Sequence, residues 1–511
     1  MMRRGLRGAA REGMARKPGG DARSGIALPS PSRVLIARAR STRRESTAPV
    51  AVQCRVLSIC FSRSRTRDGP VCRATADSAG MAQAPCFVPD GPWTVLSEGG
   101  ITAAEGFVAA GISAGLRASS DRPDLALVHC PDGATAAGVF TQNLMCAAPV
   151  TFCKDALRDA PPRGITSVLV NAGQANAATG AAGWQDAVDS ANALASALDV
   201  PVEGILLEST GVIGQRIKMD QLLSGIPNVA KALSPSAASA ELAAVAITTT
   251  DLVSKSAALS LEIGGHTVTL GGICKGSGMI HPNMATMLGV ITCDADVAPD
   301  LWQAMLRDAV AGTFNQISVD GDTSTNDTVV ALASGKVPVS IVAPDGPDAA
   351  ALRAGLQALC EALCKSIAWD GEGANVLVEV AVSGAASDAD ARAIARSVVS
   401  SSLTKSAIFG QDPNWGRIAA AAGYAGPAFD IDRLGLTLGG GGGNEPAFAL
   451  MADGQPLPFD AAEASAYLKR QKEARGTVHI ALALGGGEGE GLAWGCDLSY
   501  DYVRINAEYT T

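Results

Sequence analysis

The segment Lys275-Gly276-Ser277-Gly278-Met279-Ile280-His281-Pro282-Asn283-Met284-Ala285-Thr286-Met287-Leu288-Gly289 constrains the chain more than any other. Its first half cannot be regular helix or strand. Gly276 and Gly278 permit backbone angles closed to residues with a Cβ and allow close approach of another group. Pro282 fixes its own φ and drives His281 towards an extended conformation. Met287-Leu288-Gly289-Val290-Ile291-Thr292-Cys293 follows at once, an apolar, β-branched run with the pattern of a buried strand. The sequence therefore predicts a kinked loop that delivers Ala285-Thr286 to the mouth of a core strand.

Two readings of Thr286 follow from the residues alone. In one, a Gly-rich loop feeds a strand and Thr286 is a satisfied hydroxyl. In the other, Thr286 is a nucleophile. A Thr hydroxyl needs a base, and the α-amine of the same residue can serve once Thr is a chain N-terminus. Such an amine has a pKa of about 7.7–8.0, so it is partly neutral near neutral pH. The Ala285–Thr286 bond must then break, and the small side chain at 285 leaves room for the Thr286 hydroxyl to attack the Ala285 carbonyl.

The chain has 511 residues, enough for two ordinary domains or one large one. Aromatics make up only 4% while glycine numbers 57, so the core must be aliphatic and packed closely against backbone. No apolar run reaches the ~18 residues of a membrane helix, which points to a soluble protein without a membrane partner. The net charge of −9 conceals two regions. Residues 1–80 carry 17 basic residues, 16 of them Arg, against 5 acidic; the remainder carries 24 basic and 45 acidic. An Arg-, Ser- and Ala-rich, acid-poor head has the composition of an organelle transit peptide. Val71-Cys72-Arg73-Ala74 is similar to a plastid processing site, with removal expected between Cys72 and Met81. A nucleic-acid-binding arm would interleave aromatics, and Phe61 is the only aromatic residue in the head. The expected location is the chloroplast, with the mitochondrion as the alternative. The twelve cysteines show no CxxC pairing and no secretory context, so buried thiols are expected, including Cys360 and Cys364 one helical turn apart. The four histidines have no metal-ligand spacing, and no metal site is expected.

Along the chain, Gly99-Gly100-Ile101-Thr102-Ala103 is expected to open the folded body. Short strands follow at Leu125–Val128 and Ala137–Thr141, then a strand at Ile165–Val170, an Asn-rich turn and a helix at Ala187–Leu198. Thr210-Gly211 follows the apolar strand Ile205-Leu206-Leu207, where a turn would expose donors of the kind that hold an oxyanion. Ser236 is a natural N-cap for an Ala-rich helix to Ile247. Thr248-Thr249-Thr250-Asp251 then reads as a helix-ending turn with exposed hydroxyls. Ser318-Val319-Asp320-Gly321-Asp322-Thr323-Ser324-Thr325-Asn326-Asp327 lacks the Glu and spacing of a calcium loop and reads as structural support near the site rather than a metal site. Glu372, between Gly371 and Gly373, is either a solvated turn carboxylate or a partner for a ligand cation. The run Gly439–Gly443 lacks the Lys and following helix of a phosphate loop and is expected to be a hairpin tip.

Taken together, the central segment, Glu208-Ser209-Thr210-Gly211-Val212-Ile213-Gly214, the Thr-Thr-Asp turn, the Asp-Gly-Asp-Thr-Ser-Thr-Asn-Asp run, Phe409-Gly410-Gln411-Asp412-Pro413-Asn414-Trp415-Gly416-Arg417-Ile418 and the C-terminus resemble the ornithine acetyltransferase (glutamate N-acetyltransferase) family of arginine biosynthesis. The resemblance spans about residues 95–511. It implies an α/β fold, an α-β-β-α sandwich with self-cleavage of the N-terminal-nucleophile kind, plus a smaller C-terminal α/β region. Beyond the leader over 1–80 that composition marks, it implies a precursor divided into an N-terminal chain over 81–285 and a C-terminal chain over 286–511. It implies cleavage at Ala285–Thr286, Thr286 as nucleophile, and Thr210 and Gly211 as the oxyanion hole. Substrate contacts carry over to Thr249, Lys275, Thr286, Glu372, Asn506 and Thr511. At Thr249 the neighbouring Thr248 leaves the register open by one, and Thr510 stands where many relatives have Arg. The implied reaction moves acetyl from N-acetylornithine to glutamate without a cofactor, with acetyl-CoA as a possible second donor. The implied assembly is a heterotetramer of two chains of each kind. A self-cleaving aminopeptidase of similar fold is the alternative, and a non-catalytic binding protein would remain one chain.

Overall fold

The structure is a computed structural model that describes residues 80–98, 100–118, 122–281, 287–442 and 445–508. The Arg-rich leader, Ala285, Thr286 and Thr511 lie outside the described residues. The folded body begins earlier than Gly99. Met81 and Ala84 are buried, and Gln83 pairs with Ser254, with the Ala84 N–H donating to the Ser254 carbonyl at 2.8 Å.

A nine-stranded sheet carries most of the chain. Its path runs from Thr94–Val95 through Lys255–Ile263, His266–Lys275, Leu288–Cys293, Thr328–Ala333, Leu125–Phe140 and Ile165–Gln174 to Ile205–Val212, and Val108–Ile112 also pairs with Leu125–Phe140. Leu125–Phe140 was expected as two short strands. It is one strand of 16 residues because Pro131-Asp132-Gly133, which reads as a turn, is absorbed as an irregularity between His129 and Ala134. Such an insertion bends a strand without ending it. The two ends of this strand then serve different neighbours. Leu125–His129 pair with Asn171–Ser167, while Thr135–Phe140 pair with Ala333–Thr328.

The bend folds the sheet into two layers. Ile273, Leu288, Val290, Val330 and Leu332 point inward and share a core with Leu125, Leu127, Val168 and Val170. The alternate residues Cys274, Ile291, Val329 and Ala331 face outward, as the period of two requires, and pack with Trp302 and Met305 of helix Pro299–Gly312 and with Leu356, Leu359 and Leu363 of helix Pro347–Trp369. Helices Ala148–Asp159, Gly180–Leu198 and Met219–Lys231 pack on the Val108–Ile112, Leu125–Phe140 and Ile205–Val212 strands. The arrangement is the α-β-β-α sandwich.

The smaller C-terminal region is a seven-stranded sheet, ordered Ile317–Ser318, Gly489–Cys496, Leu377–Ala385, Thr477–Ala483, Gly435–Gly439, Ala447–Ala452 and Gln455–Pro456. Helix Pro347–Trp369 joins the two sheets, since Leu377, Trp494 and Cys496 belong to the same core as Leu359. Buried Lys365 bridges Glu361 at 2.7 Å and Glu379 at 3.0 Å and so pins that helix to the second sheet. Cys360 and Cys364 lie on this helix as buried free thiols whose pKa values burial raises. Cys86, by contrast, is exposed. The glycine run connects antiparallel strands Gly435–Gly439 and Ala447–Ala452, as a hairpin would.

Candidate active site

The strand ends converge on a cavity of about 270 Å³. Its lining includes Thr210, Gly211, Thr249, Thr250, Lys275, Gly278, Met287, Leu288, Asn326, Asp327, Glu372 and Asn506. Met287, the residue after Thr286 in sequence, and Leu288, first residue of the following strand, are therefore cavity residues. The Met287 carbonyl accepts from the Thr328 N–H at 2.9 Å, which fixes the strand entrance beside the Asn326-Asp327 wall.

Thr210 and Gly211 close the strand Ile205–Val212 rather than forming a turn after Leu207. The longer strand follows from parallel pairing with Ile165–Gln174, which sets Ala172 opposite Thr210 and Gly173 opposite Gly211. Gly211 has φ of +125°, and a Cβ there would lie 2.3 Å from the Gly173 carbonyl carbon and oxygen, so only glycine fits. Asn326 secures this edge. Its side-chain amide donates to the Ser209 carbonyl at 2.8 Å and to the Ala175 carbonyl at 2.5 Å, tying both strand ends together.

The three threonines of the turn stand in different surroundings. Thr248 is fully buried and donates its hydroxyl to the Val245 carbonyl at 2.7 Å, whereas Thr249 and Thr250 line the cavity. Lys275 ends the strand His266–Lys275, half-buried at the cavity wall. Burial lowers its ammonium pKa, with Asp251, Asp327 and Glu372 acting in the opposite direction. Its charge is available to hold a carboxylate at close range.

Glu372 is buried and reaches the cavity across Gly278, where a Cβ would stand 2.4 Å from a Glu372 carboxylate oxygen. The other oxygen accepts from the Asn506 side-chain amide at 2.8 Å. The Glu372 N–H donates to the Ser277 carbonyl at 3.0 Å, and the Ser277 hydroxyl donates to the Asp370 carbonyl at 2.8 Å, so the central loop and the Glu372 turn are tied together. Asp320, from the acidic run, accepts from the Met279 and Ile280 N–H groups at 2.6 and 2.9 Å. That contact gives the run its supporting role under the loop. His281 Nδ1 lies 3.1 Å from the Ser318 hydroxyl, and burial, then Arg396, pushes its pKa down to about 4. It is a neutral imidazole at neutral pH.

Two residues before Thr210, Glu208 is buried and, among the described residues, neither carboxylate oxygen has a hydrogen-bond partner. Burial raises its pKa well above the carboxylate range, with Lys275 opposing.

The ArgJ family profile matches residues 108–511. The chloroplastic arginine biosynthesis bifunctional protein ArgJ of Sorghum bicolor is 57% identical over 442 residues, covering 86% of this chain and 93% of the relative. The chain belongs to the ArgJ family. The chloroplastic ArgJ of Physcomitrium patens is 55% identical over 439 residues, covering 86% of this chain and 82% of its own length. Among solved structures, an ArgJ from Bacillus halodurans is 44% identical with a TM-score of 0.39, covering 43% of this chain and 97% of its own. An ornithine acetyltransferase from Mycobacterium tuberculosis, solved with ornithine, is 40% identical with a TM-score of 0.34, covering 38% of this chain and 100% of its own.

Within this member of the ArgJ family, the cavity gathers Thr210, Gly211, Thr249, Lys275, Glu372 and Asn506 from positions nearly 300 residues apart in sequence. Ala285, Thr286 and Thr511 lie outside the described residues. Sequence reasoning missed Asn326 and Asp327 as cavity residues, placing their run only near the site. The available signal was their position immediately before the strand Thr328–Ala333.

Proposed function

We propose that the chain is a glutamate N-acetyltransferase that moves acetyl from N2-acetyl-L-ornithine to L-glutamate through an ester on Thr286. The observation that supports this reading is that one cavity collects Lys275, the buried carboxylate of Glu372 and the Thr210-Gly211 strand end beside Met287.

The precursor cuts itself between Ala285 and Thr286. The freed α-amine takes the Thr286 hydroxyl proton, and the oxygen attacks the acetyl carbonyl. Thr210 and Gly211 donate to the oxyanion. The amide C–N bond breaks, and ornithine leaves with the proton on its amine. The glutamate amine then attacks the ester, releasing N-acetylglutamate and restoring the hydroxyl. Lys275 holds a substrate carboxylate, and Glu372, oriented by Asn506, holds an ammonium. Thr249 and Thr511 complete the contacts. No metal or resident cofactor takes part, and acetyl-CoA serves as a second acetyl donor by the same ester. The mature enzyme acts in the chloroplast, after loss of the leader, on small molecules, as a heterotetramer of two chains of each kind. No helix among the described residues is long and apolar enough to cross a membrane.

Intact-mass measurement of the purified protein tests this. Two chains are expected, the second starting at Thr286, with labelled acetyl esterified to that residue. Thr286→Ala should give one uncut body and no transfer. A single chain with full transferase activity refutes the reading, and peptide hydrolysis without acetyl transfer favours the aminopeptidase alternative.

A further inference from the structure

Three of the substrate-binding side chains above stand on separate segments: Thr249 after a helix, Lys275 at a strand end and Glu372 after the long helix Pro347–Trp369. One group of buried charges touches all three. Lys255 is completely buried, and its ammonium donates to Asp251 Oδ1 at 2.6 Å, Asp370 Oδ2 at 2.7 Å and the Val253 carbonyl at 3.2 Å, using its three protons. Asp251 spends its other capacity on the binding segments. Its Oδ2 accepts from the Thr249 N–H at 2.8 Å, and its Oδ1 accepts from the Gly276 N–H, next to Lys275, at 2.8 Å. Asp370 accepts from the Leu252 and Val253 N–H groups at 3.1 and 3.3 Å. Its main-chain carbonyl receives the Ser277 hydroxyl, and Glu372 lies two residues on.

We infer that Asp251, through Lys255 and Asp370, is a positioning residue that sets the distances between Thr249, Lys275 and Glu372 and thereby the fit of the amino-acid part of the substrate. The inference rests on the assignment of those three residues to substrate. Asp251 does not line the cavity, so it acts through the groups it holds. A carboxylate is required. Asp251→Asn replaces one acceptor oxygen with a donor, which must then face the Thr249 N–H, the Gly276 N–H or the Lys255 ammonium, all of them donors. The clamp also spans the proposed cut, with Asp251 and Lys255 before residue 285 and Asp370 after it.

The test compares unmodified protein with Asp251→Asn in three assays. Intact mass reports chain cutting. A p-nitrophenyl acetate burst reports acetylation of Thr286 by a donor without an amino-acid moiety. Steady-state kinetics report KM and kcat for N-acetylornithine. The expected result is complete cutting, a burst within about twofold of the unmodified protein, and a KM raised about tenfold or more with a smaller fall in kcat. A KM within about twofold, or a burst that falls in step with the loss of transfer, overturns the inference. If Asp251→Asn does not accumulate as folded protein, Asp370→Ala, which removes the oxygen that accepts from Lys255, Leu252 and Val253, is judged by the same three results. If p-nitrophenyl acetate fails to label Thr286 even in unmodified protein, the nucleophile assignment falls. The clamp is then judged on ornithine affinity by calorimetry, where an unchanged Kd in Asp251→Asn refutes it.

Discussion

Gly278→Ala is a sharp test of amino-acid recognition because the structure fixes its effect to one atom pair. The added methyl would stand 2.4 Å from one Glu372 carboxylate oxygen and 2.6 Å from the other. Ordinary contact begins at 3.4 Å, so the carboxylate must retreat by about 1 Å. The backbone at 278 has no left-handed φ, and the atoms to be moved end a flexible side chain, so the fold should absorb the change. That displacement moves the charge away from the position it holds in the cavity, where its other oxygen accepts from Asn506 at 2.8 Å. A hydrogen bond to a charged group is worth about 1.5–3 kcal/mol. Losing it from substrate binding predicts a fall in kcat/KM for N-acetylornithine of about 10- to 150-fold, chiefly through KM. Steady-state kinetics on the cut protein, beside a thermal melt within about 2 °C of the parent, would measure it. An unchanged KM would mean that Glu372 does not hold the substrate ammonium.

Gly211→Ala places a side chain at φ of +125° and 2.3 Å from the Gly173 backbone, so the oxyanion donors must shift, and single-turnover acetylation of Thr286 should slow by about 10²–10³. Glu208→Gln should stabilise the protein increasingly as pH rises. The folded carboxyl has a raised pKa, so above about pH 4.3 the unfolded chain releases a proton that the folded chain keeps, and the parent loses stability that the amide does not. Melts at pH 5 and pH 8 should show the gap widening, and equal shifts at both would refute a neutral buried Glu208.

Features encoded by neighbouring residues were readable from the sequence. The strand Leu288–Cys293, the Ser236 cap that accepts from the Ser239 N–H and the Gly435–Ala452 hairpin all rest on local signals. The continuity of Leu125–Phe140 was not readable, because Pro131-Asp132-Gly133 carries a turn signal that only flanking sheet partners override. The same holds for Thr210, whose strand is extended by parallel pairing with Ile165–Gln174. Asn326 was least legible. Its partners are main-chain oxygens 117 and 151 residues away, and a main-chain carbonyl leaves no trace in residue identity. Lys255 posed the same difficulty, since one of its carboxylates lies 115 residues distant.

The strands on either side of the central loop, His266–Lys275 and Leu288–Cys293, are antiparallel neighbours with Lys275 opposite Leu288. A cut between them severs a covalent link without freeing either piece, because the ladder and the shared inner layer still join them. The proposed maturation would thus change the order of the folding reaction. The uncut polypeptide finds its structure alone, whereas two severed pieces, once unfolded, must first meet. On that reading, assembly instructions are written into the precursor and discarded when it becomes active, and the working enzyme is held together by a history that it cannot repeat by itself.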